Sequence, residues 1–519
     1  MESQASVARG ATSLYVANVV VLLANTLYFL VLTNILRSTT QVGIVTALNI
    51  TIWLLVTICI LAQPVTVQSP IPAPQAVLKF LPEFVAKGSQ KSVARVFRIS
   101  LASAVILGGI IAVVLTLVPG AVAPFIGGQV ILPIYIQLSA VDVLVLGVAQ
   151  VCIGSLIALG EMRSATIYLI LWSVARYTLA SLLLVPYVIV GVLVGWIIGD
   201  AILLTIALQR SLRRIHGGSD KATGFSVSDL TKYSLYTLFS ALIGFAINQA
   251  DKIFTLAQRG LQELAIYNVA IVAASFAGFA PYALVTVLLP ALSALHASNK
   301  KREMRHMVRT YTRYVSIVVL PIAFGFAAIT QVALRIFGLD YVAGLAPSMI
   351  VSIVTGLAAV GAVYAGVLLA LGELKWYAGA NVLGLISLLI VSYVLTPILG
   401  LSGPAFGRAS LMILAALIYA IAVQRSGFLE IDLKAFLGAA GASTLMGVVV
   451  FVVLAFFHTF LIKLLMLPIM VVVGAAIYTG SLRAFHILTK DDVEFVRSIA
   501  PRRFERLLIL VAKFVVVGG

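Results

Sequence analysis

Apolar residues fill most of the chain in long runs, and short polar or turn-forming stretches separate these runs. A run of about 20 apolar residues is long enough to cross a bilayer as an α-helix. The pattern predicts about fourteen membrane-spanning helices, near residues 11–36, 42–63, 97–119, 135–159, 164–186, 188–209, 231–255, 263–289, 312–337, 345–371, 376–397, 402–424, 435–457 and 460–481. The fold class is therefore expected to be an all-α polytopic membrane protein.

The composition agrees with a lipid environment. Of the 519 residues, 62% are hydrophobic and only 10% are charged, whereas soluble proteins have about 25% charged residues. This composition excludes a cytosolic enzyme. The net charge of +17 does not indicate a nucleic-acid partner, because the basic residues are spread over many short clusters.

Most Lys and Arg residues lie in alternate connections between the predicted spans, with large clusters at 79–98, 210–232 and 300–313. Connections rich in Lys and Arg remain in the cytoplasm. We therefore expect a multi-pass protein of the cytoplasmic membrane with both termini inside the cell, which requires an even number of spans.

The sequence contains an internal repeat. The segment Ala158-Leu159-Gly160-Glu161-Met162 returns as residues 370–374, and 206–210 returns as 421–425. Further matches in the same order are Gly195 and Gly199 with Gly403 and Gly407, and Leu81-Pro82 with Leu289-Pro290. Two parallel six-helix repeats around a central cavity follow from this pattern.

The repeat predicts the division of the chain. Residues 1–215 would form an N-lobe with helices 1–6, and residues 216–430 would form a C-lobe with helices 7–12. Residues 431–481 would add two C-terminal helices, and 482–519 an amphipathic cytoplasmic tail. The Pro-rich stretch 64–74 has no counterpart in the second repeat.

Several charged side chains fall within predicted spans, where each costs about 2.5–3.5 kcal/mol at mid-helix. They are Asp142, Arg176, Asp200, Asp251, Lys252 and Arg408. Acids and bases are equal in number, so they can pair across a polar cavity that carries a substrate or an ion. The alternative is a set of structural pairs that fix helix packing.

Polar residues in two other predicted spans could line the same cavity. Asn18, Asn25 and Tyr28 share one face of the first span, and Asn248 shares a face with Asp251 in the seventh. Such amides can equally bond neighbouring helices. The repeated glycines have small-x-x-x-small spacing, which predicts close helix contact.

No resident cofactor or metal is predicted. The chain lacks a Gly-rich phosphate loop, and its five histidines lie in or near connections. The buried acids leave H⁺ or Na⁺ open as a coupling ion. Cys59 and Cys152 lie in apolar runs and are expected to be core residues rather than a disulfide.

Several stretches carry a family resemblance. They are Asn248-Gln249-Ala250-Asp251-Lys252, Ala265-Ile266-Tyr267-Asn268-Val269-Ala270, Pro290, Arg313-Tyr314, Pro321-Ile322-Ala323-Phe324-Gly325, Phe337-Gly338-Leu339-Asp340-Tyr341 and Leu369 to Glu373. In this order the chain resembles the multidrug/oligosaccharidyl-lipid/polysaccharide (MOP) exporter superfamily, and within it the Wzx-type oligosaccharide flippases. It resembles the lipid II flippase branch less, since the first predicted span has no arginine.

The resemblance implies two lobes around a hydrated cavity that opens alternately to each side. It also implies a polyprenyl-linked oligosaccharide as cargo, with membrane lipids as the other partners and no nucleic acid. Arg176, Arg408 and Lys252 are the candidates to bind its phosphate, and Asn25, Asn248 and Tyr28 to contact sugar hydroxyls. Asp142 and Asp200 would hold the cations when the cavity is empty. We expect a monomer.

Two alternatives stay open. A cation-coupled antiporter of drugs or organic cations, of the multidrug and toxin extrusion (MATE) type, would depend on Asp142, Asp200 and Asp251. A membrane glycosyltransferase or polymerase is less favoured, because no outer loop is long enough for a catalytic domain. The protein is therefore expected not to be an enzyme.

Overall fold

The computed structural model describes residues 20–64, 76–215 and 226–487, and its regular structure is helical throughout these residues. The helices are α1 (Val20–Leu36), α2 (Thr39–Cys59), α3 (Ala76–Ala86), α4 (Gln90–Leu117), α5 (Pro119–Ile126), α6 (Pro133–Ala158), α7 (Met162–Arg214), α8 (Val227–Ala297), α9 (Lys301–Phe337), α10 (Leu345–Leu371), α11 (Leu374–Leu399), α12 (Ser402–Arg425), α13 (Leu433–Phe456) and α14 (Phe460–Ala484). Asn18, residues 65–74 of the Pro-rich stretch and the tail beyond residue 487 lie outside the described residues.

Eleven of the described helices are long and apolar enough to cross a membrane. Two of them, α7 and α8, are interrupted by one residue with non-helical backbone angles, Val188 and Gly260 respectively. Counting their halves separately and adding α1 gives the fourteen predicted spans. The fold class is confirmed, and the chain is a multi-pass membrane protein.

Glycines explain how the two halves of α7 fold back on each other. A Cβ atom on Gly195 or Gly199 would collide with the backbone of Ala180 or Arg176 in the preceding half. Gly403 and Gly407 approach Thr396 and Ser392 in the same way, across the contact between α12 and α11. The predicted close packing at these glycines is confirmed.

The repeated Ala-Leu-Gly-Glu segment forms the same turn in both copies. Gly160 and Gly372 end α6 and α10 with φ of 78° and 75°. The following amides, of Glu161 and Glu373, donate to the carbonyls of Leu156 and Leu368 at 2.9 Å in each case. This is the Schellman-type ending in which a left-handed glycine satisfies the last helical carbonyls, so the sequence repeat is also a repeat of local structure.

The chain forms two compact units, residues 1–269 and 270–519. In the first unit α6 is the central helix, with Leu146, Ile153 and Leu156 among its buried residues. The segment Val227–Val269 also packs in this unit, where Thr237 Oγ1 donates to the carbonyl of Leu61 at 2.9 Å. The lobe boundaries at 215 and 430 stay predictions.

The second unit is built around α9. One cluster packs α9 with α10 and α12 through residues such as Val319, Val363 and Val423. A second cluster packs α13 and α14 against α9, and Tyr478 donates to the carbonyl of Ile317 at 2.7 Å.

Candidate functional site

Three of the predicted site residues meet in the interior of the first unit. Arg176, in the first half of α7, donates through Nη1 to Oδ2 of Asp200 in the second half. Its Nη2 lies 3.3 Å from Oδ2 of Asp142 on α6. Arg176 is 1% exposed and both aspartates are fully buried. The pairing that the sequence predicted for these three residues is therefore present.

Aromatic rings complete this cluster. The Arg176 guanidinium lies 4.8 Å from the ring centre of Trp196 and 5.9 Å from that of Trp172. Trp172 Nε1 also donates to Oδ1 of Asp200 at 2.5 Å. Cation–π contacts of this kind stabilise a guanidinium most where water is excluded, so the tryptophans help to keep the cation buried.

Helix geometry explains why these groups meet. Trp172 precedes Arg176 by four residues and Trp196 precedes Asp200 by four, so each pair shares one face of its half of α7. Gly199 brings the two halves together, because a Cβ there would lie 2.5 Å from the Cα of Arg176. The glycine contact and the ion pair therefore depend on the same close approach.

Tyr28 of α1 extends the aromatic surface of this cluster. Its ring stacks on Tyr177 with 5.1 Å between ring centres, and it lies 6.3 Å from the ring of Trp196. Tyr28 is 2% exposed. A sugar could contact it only if α1 moved away from α7.

Asp251 forms a second buried polar pair in the first unit. The hydroxyl of Tyr267 donates to its Oδ2 at 2.7 Å, and its side chain is fully buried. Asp251 and Lys252 lie near the end of the predicted span 231–255, where a charged side chain can often reach the membrane surface. Instead both are buried, because α8 continues past them before it breaks at Gly260.

The remaining candidates are partly buried. Asn248 donates from Nδ2 to the carbonyl of Gly244 at 2.8 Å, within its own helix. Asn25 lies in α1 and is partly exposed. Arg408 lies in α12 of the second unit, directly after Gly407, and is also partly exposed. Roles for these residues in cargo binding stay predictions.

Sequence reasoning missed the roles of Trp172, Tyr177 and Tyr267. Trp172 and Trp196 enclose a buried cation, and Tyr177 and Tyr267 contact Tyr28 and Asp251. The four-residue spacing of each tryptophan from a charged residue was the available indication.

Two further ion-pair networks lie at helix ends. Glu161, between α6 and α7, accepts from Nε of Arg210 at 2.8 Å, from Arg214 and from Ser164. Burial raises the pKa of Glu161, but these hydrogen bonds outweigh it and hold the pKa below its usual range.

The second network joins α13 to α9. Asp432 accepts from the Ala435 amide at 3.0 Å and from Arg313 Nη1 at 2.6 Å. Burial raises the pKa of Asp432, but the Ala435 amide and Arg313 outweigh it, so the pKa is lowered. Arg313 also donates to the carbonyl of Ile487, which ties the end of the described chain to α9.

One family model matches the chain. It is described as "Polysaccharide biosynthesis protein" and aligns with residues 86–342, slightly less than half of the sequence. The matched segment contains Asp142, Arg176, Asp200 and Asp251. No curated protein sequence matches the chain.

Solved structures that share the fold of this chain include a lipid flippase and multidrug transporters. The lipid II flippase MurJ, in an inward closed conformation, matches with a TM-score of 0.65 and 13% identity over 90% of this chain and 99% of MurJ. An inward-facing MATE family multidrug resistance transporter of the MOP superfamily matches with a TM-score of 0.64 and 11% identity, over 80% of this chain and 98% of the transporter. The Vibrio cholerae MATE transporter VcmN matches with a TM-score of 0.59 and 15% identity, over 83% of this chain and all of VcmN.

The chain therefore has the fold of these transporters. The family model that matches is one of polysaccharide biosynthesis, whereas the likeness to the MATE transporters is one of fold.

Proposed function

We propose that the protein is a flippase that moves a polyprenyl-linked oligosaccharide across the cytoplasmic membrane by alternating access. The cargo would serve polysaccharide or glycoprotein glycan biosynthesis. The observation that carries this proposal is the polysaccharide-biosynthesis match over residues 86–342, which includes the buried charge cluster of the first unit. Both termini would lie in the cytoplasm, and the protein would form or break no covalent bond in its cargo.

In this mechanism the cargo's phosphate would compete with carboxylates for arginine. Arg176 holds Asp200 through a direct ion pair, while its contact with Asp142 is longer, at 3.3 Å. A phosphate oxygen can replace a carboxylate oxygen on a guanidinium because both match its planar donor geometry. We expect the cargo phosphate to displace the Asp142 carboxylate from Arg176 and to leave the ion pair with Asp200 in place.

Other candidates would contact the cargo elsewhere. Lys252 in the first unit and Arg408 in the second are the other candidates to bind phosphate, and Asn25, Asn248 and Tyr28 would contact sugar hydroxyls. Asp251 would stay bonded to Tyr267 in the described conformation.

A coupling ion fits the charge of the first cluster. Two aspartates and one arginine leave one formal negative charge in a buried site, and an unbalanced charge in a membrane span is costly. A proton or Na⁺ taken up there would restore balance and could link cargo movement to an ion gradient.

The test is transbilayer movement of a fluorescent polyprenyl-linked oligosaccharide in liposomes that contain the purified protein. Arg408→Gln should slow the initial rate about tenfold, equivalent to losing one charge-assisted contact of about 1.4 kcal/mol. The matched control is Arg335→Gln, which removes one charge from the same unit at a residue that contacts the ring of Phe460. Its rate should stay near that of the wild type.

Ethidium efflux from the same liposomes, with and without a proton gradient, tests the MATE-like alternative. Oligosaccharide movement without efflux supports the flippase. Efflux without oligosaccharide movement would reject it in favour of the antiporter.

A further inference from the structure

The first and last residues of α7 meet because its two halves fold back on each other, and the residues there include four arginines and one glutamate. They are Glu161, Arg163, Arg210, Arg213 and Arg214, and we refer to them as the α7 arginine cluster. The Glu161 carboxylate accepts hydrogen bonds from two guanidinium nitrogens of Arg210 and from one of Arg214. This carboxylate is almost buried, at 7% exposed, whereas the Arg214 side chain is 59% exposed.

Glu161 therefore fixes two arginines without neutralising the surface around it. Within the described residues, neither Arg210 nor Arg214 pairs with another carboxylate. Arg163 lies two residues after Glu161 in the chain and Arg213 directly before Arg214, and both are exposed. Four cations around one anion leave an excess of positive charge, which attracts an anionic group.

Exposed apolar stripes lead from the membrane to this cluster. In the first half of α7 the exposed stripe contains Ile167, Leu171 and Val174, and Arg163 lies one turn before it. In the second half the stripe contains Ile198 and Ile202 and continues through Thr205 and Gln209 to Leu212 and Arg213. Each stripe follows helical spacing, so its exposed side chains lie on one face of the helix.

We propose that the α7 arginine cluster binds the phosphate headgroup of an anionic phospholipid of the surrounding bilayer. The headgroup would lie against Arg163, Arg213 and Arg214, and the acyl chains would follow the apolar stripes of α7. A bilayer lipid is favoured over a soluble phosphate because Arg163 and Arg213 lie at the ends of exposed apolar stripes, and a lipid has acyl chains that can cover such stripes. Guanidinium groups suit this ligand, since they bind phosphate oxygens in pairs. The proposal does not depend on the identity of the cargo.

The experiment is native mass spectrometry of the purified full-length protein with phosphatidylglycerol, and with phosphatidylcholine of the same acyl chains. The variant R163A/R213A removes the two exposed arginines that do not contact Glu161. Its dissociation constant for phosphatidylglycerol should rise about tenfold or more, since each basic residue near a membrane surface contributes measurably to anionic-lipid binding. Binding of phosphatidylcholine should not change.

The matched control is K301A/R302A, which removes two exposed charges at the start of α9. It should bind phosphatidylglycerol as the wild type does. R163K/R213K keeps the charge and should retain more of the binding than R163A/R213A, while unchanged phosphatidylcholine binding by R163A/R213A shows that the alanine variant is folded. The proposal is overturned if R163A/R213A binds phosphatidylglycerol like the wild type, or if glycerophosphoglycerol displaces the lipid at equal concentration.

Discussion

Arg176 can be buried in a membrane span because carboxylates and indole rings surround its guanidinium group. A buried charge that loses its partner is costly, and removing one member of such a pair destabilises a protein by about 3–5 kcal/mol. The members of the cluster are not equivalent, however. Asp200 pairs directly with Arg176 and accepts from Trp172, whereas Asp142 lies farther away and adds the surplus negative charge.

Two substitutions in this cluster should therefore differ in their effect on stability. Arg176→Gln leaves two buried carboxylates without a cation and should reduce the free energy of unfolding by about 3 kcal/mol or more. Asp142→Asn keeps the Arg176–Asp200 pair and should cost about 1 kcal/mol or less. Thermal unfolding in detergent measures both. Equal losses would show that Arg176 needs the Asp142 carboxylate as much as that of Asp200, so that the Asp142 charge is not surplus.

Asp432 should make stability depend on acid pH. Its folded pKa is depressed, so its ion pair with Arg313 stabilises the protein above the ordinary aspartate pKa of about 3.9. This contribution disappears as the pH falls through the folded pKa. Between about pH 5 and about pH 3 the unfolding temperature of the wild type should fall by a few degrees more than that of Asp432→Asn.

Asparagine is a suitable replacement because it still accepts from an amide at a helix start. Glu161→Gln should flatten the same acid limb, since the pKa of Glu161 is also depressed. Parallel curves for the wild type and both variants would contradict this account.

At the scale of helices, hydropathy predicted the spans well and the water-exposed parts poorly. The tenth span was predicted at 345–371, and α10 has these bounds. The short helices α3 and α5 were not predicted, and α9 begins at Lys301 rather than near residue 312. The start of α9 is polar and outside lipid meets no penalty, so no apolar run marks it, whereas α5 is apolar but at eight residues is too short to be recognised as a span.

The partners within the candidate site were only partly predictable. The cost of burying charge indicated that Arg176 needs an acid, and the structure supplies Asp200 and Asp142. The contacts of Trp172 and Tyr267 form only because the two halves of α7, and those of α8, fold back on each other. The hydropathy pattern along the sequence does not specify which residues meet across such a turn.

The glycine contacts of α7 allow a direct test of close packing. Gly199→Ala would place a Cβ 2.5 Å from the Cα of Arg176, and backbone cannot yield as a flexible side chain can. We expect a loss of about 2 kcal/mol or more in the free energy of unfolding. Gly109→Ala is the control, because this glycine lies inside α4 with open space around it.

The control should be neutral or stabilising by up to about 1 kcal/mol, since alanine favours helix over glycine. Denaturant unfolding in detergent compares the two variants. A Gly199→Ala protein as stable as Gly109→Ala would mean that the two halves of α7 can separate without cost.

For the whole molecule, the charge pattern predicts which connections face the cytoplasm. Arg302 and Leu339 are exposed at opposite ends of α9, which crosses the membrane once between them. In a Cys59→Ala/Cys152→Ala background, Leu339→Cys should react with a membrane-impermeant maleimide in intact cells. Arg302→Cys should react only after the cells are opened. The reverse result would place both termini outside the cell.

The pairing inside α7 also has a consequence for how the protein is made. Arg176 leaves the ribosome 24 residues before Asp200, the partner that forms its direct ion pair. A span that enters lipid alone with an arginine near its centre meets a penalty of about 2.5–3.5 kcal/mol. The two halves of α7, already turned at Val188, would avoid this penalty by leaving the translocon together as a hairpin. Asp142 precedes both in the chain, so α6 can offer the arginine a temporary carboxylate until Asp200 is synthesised.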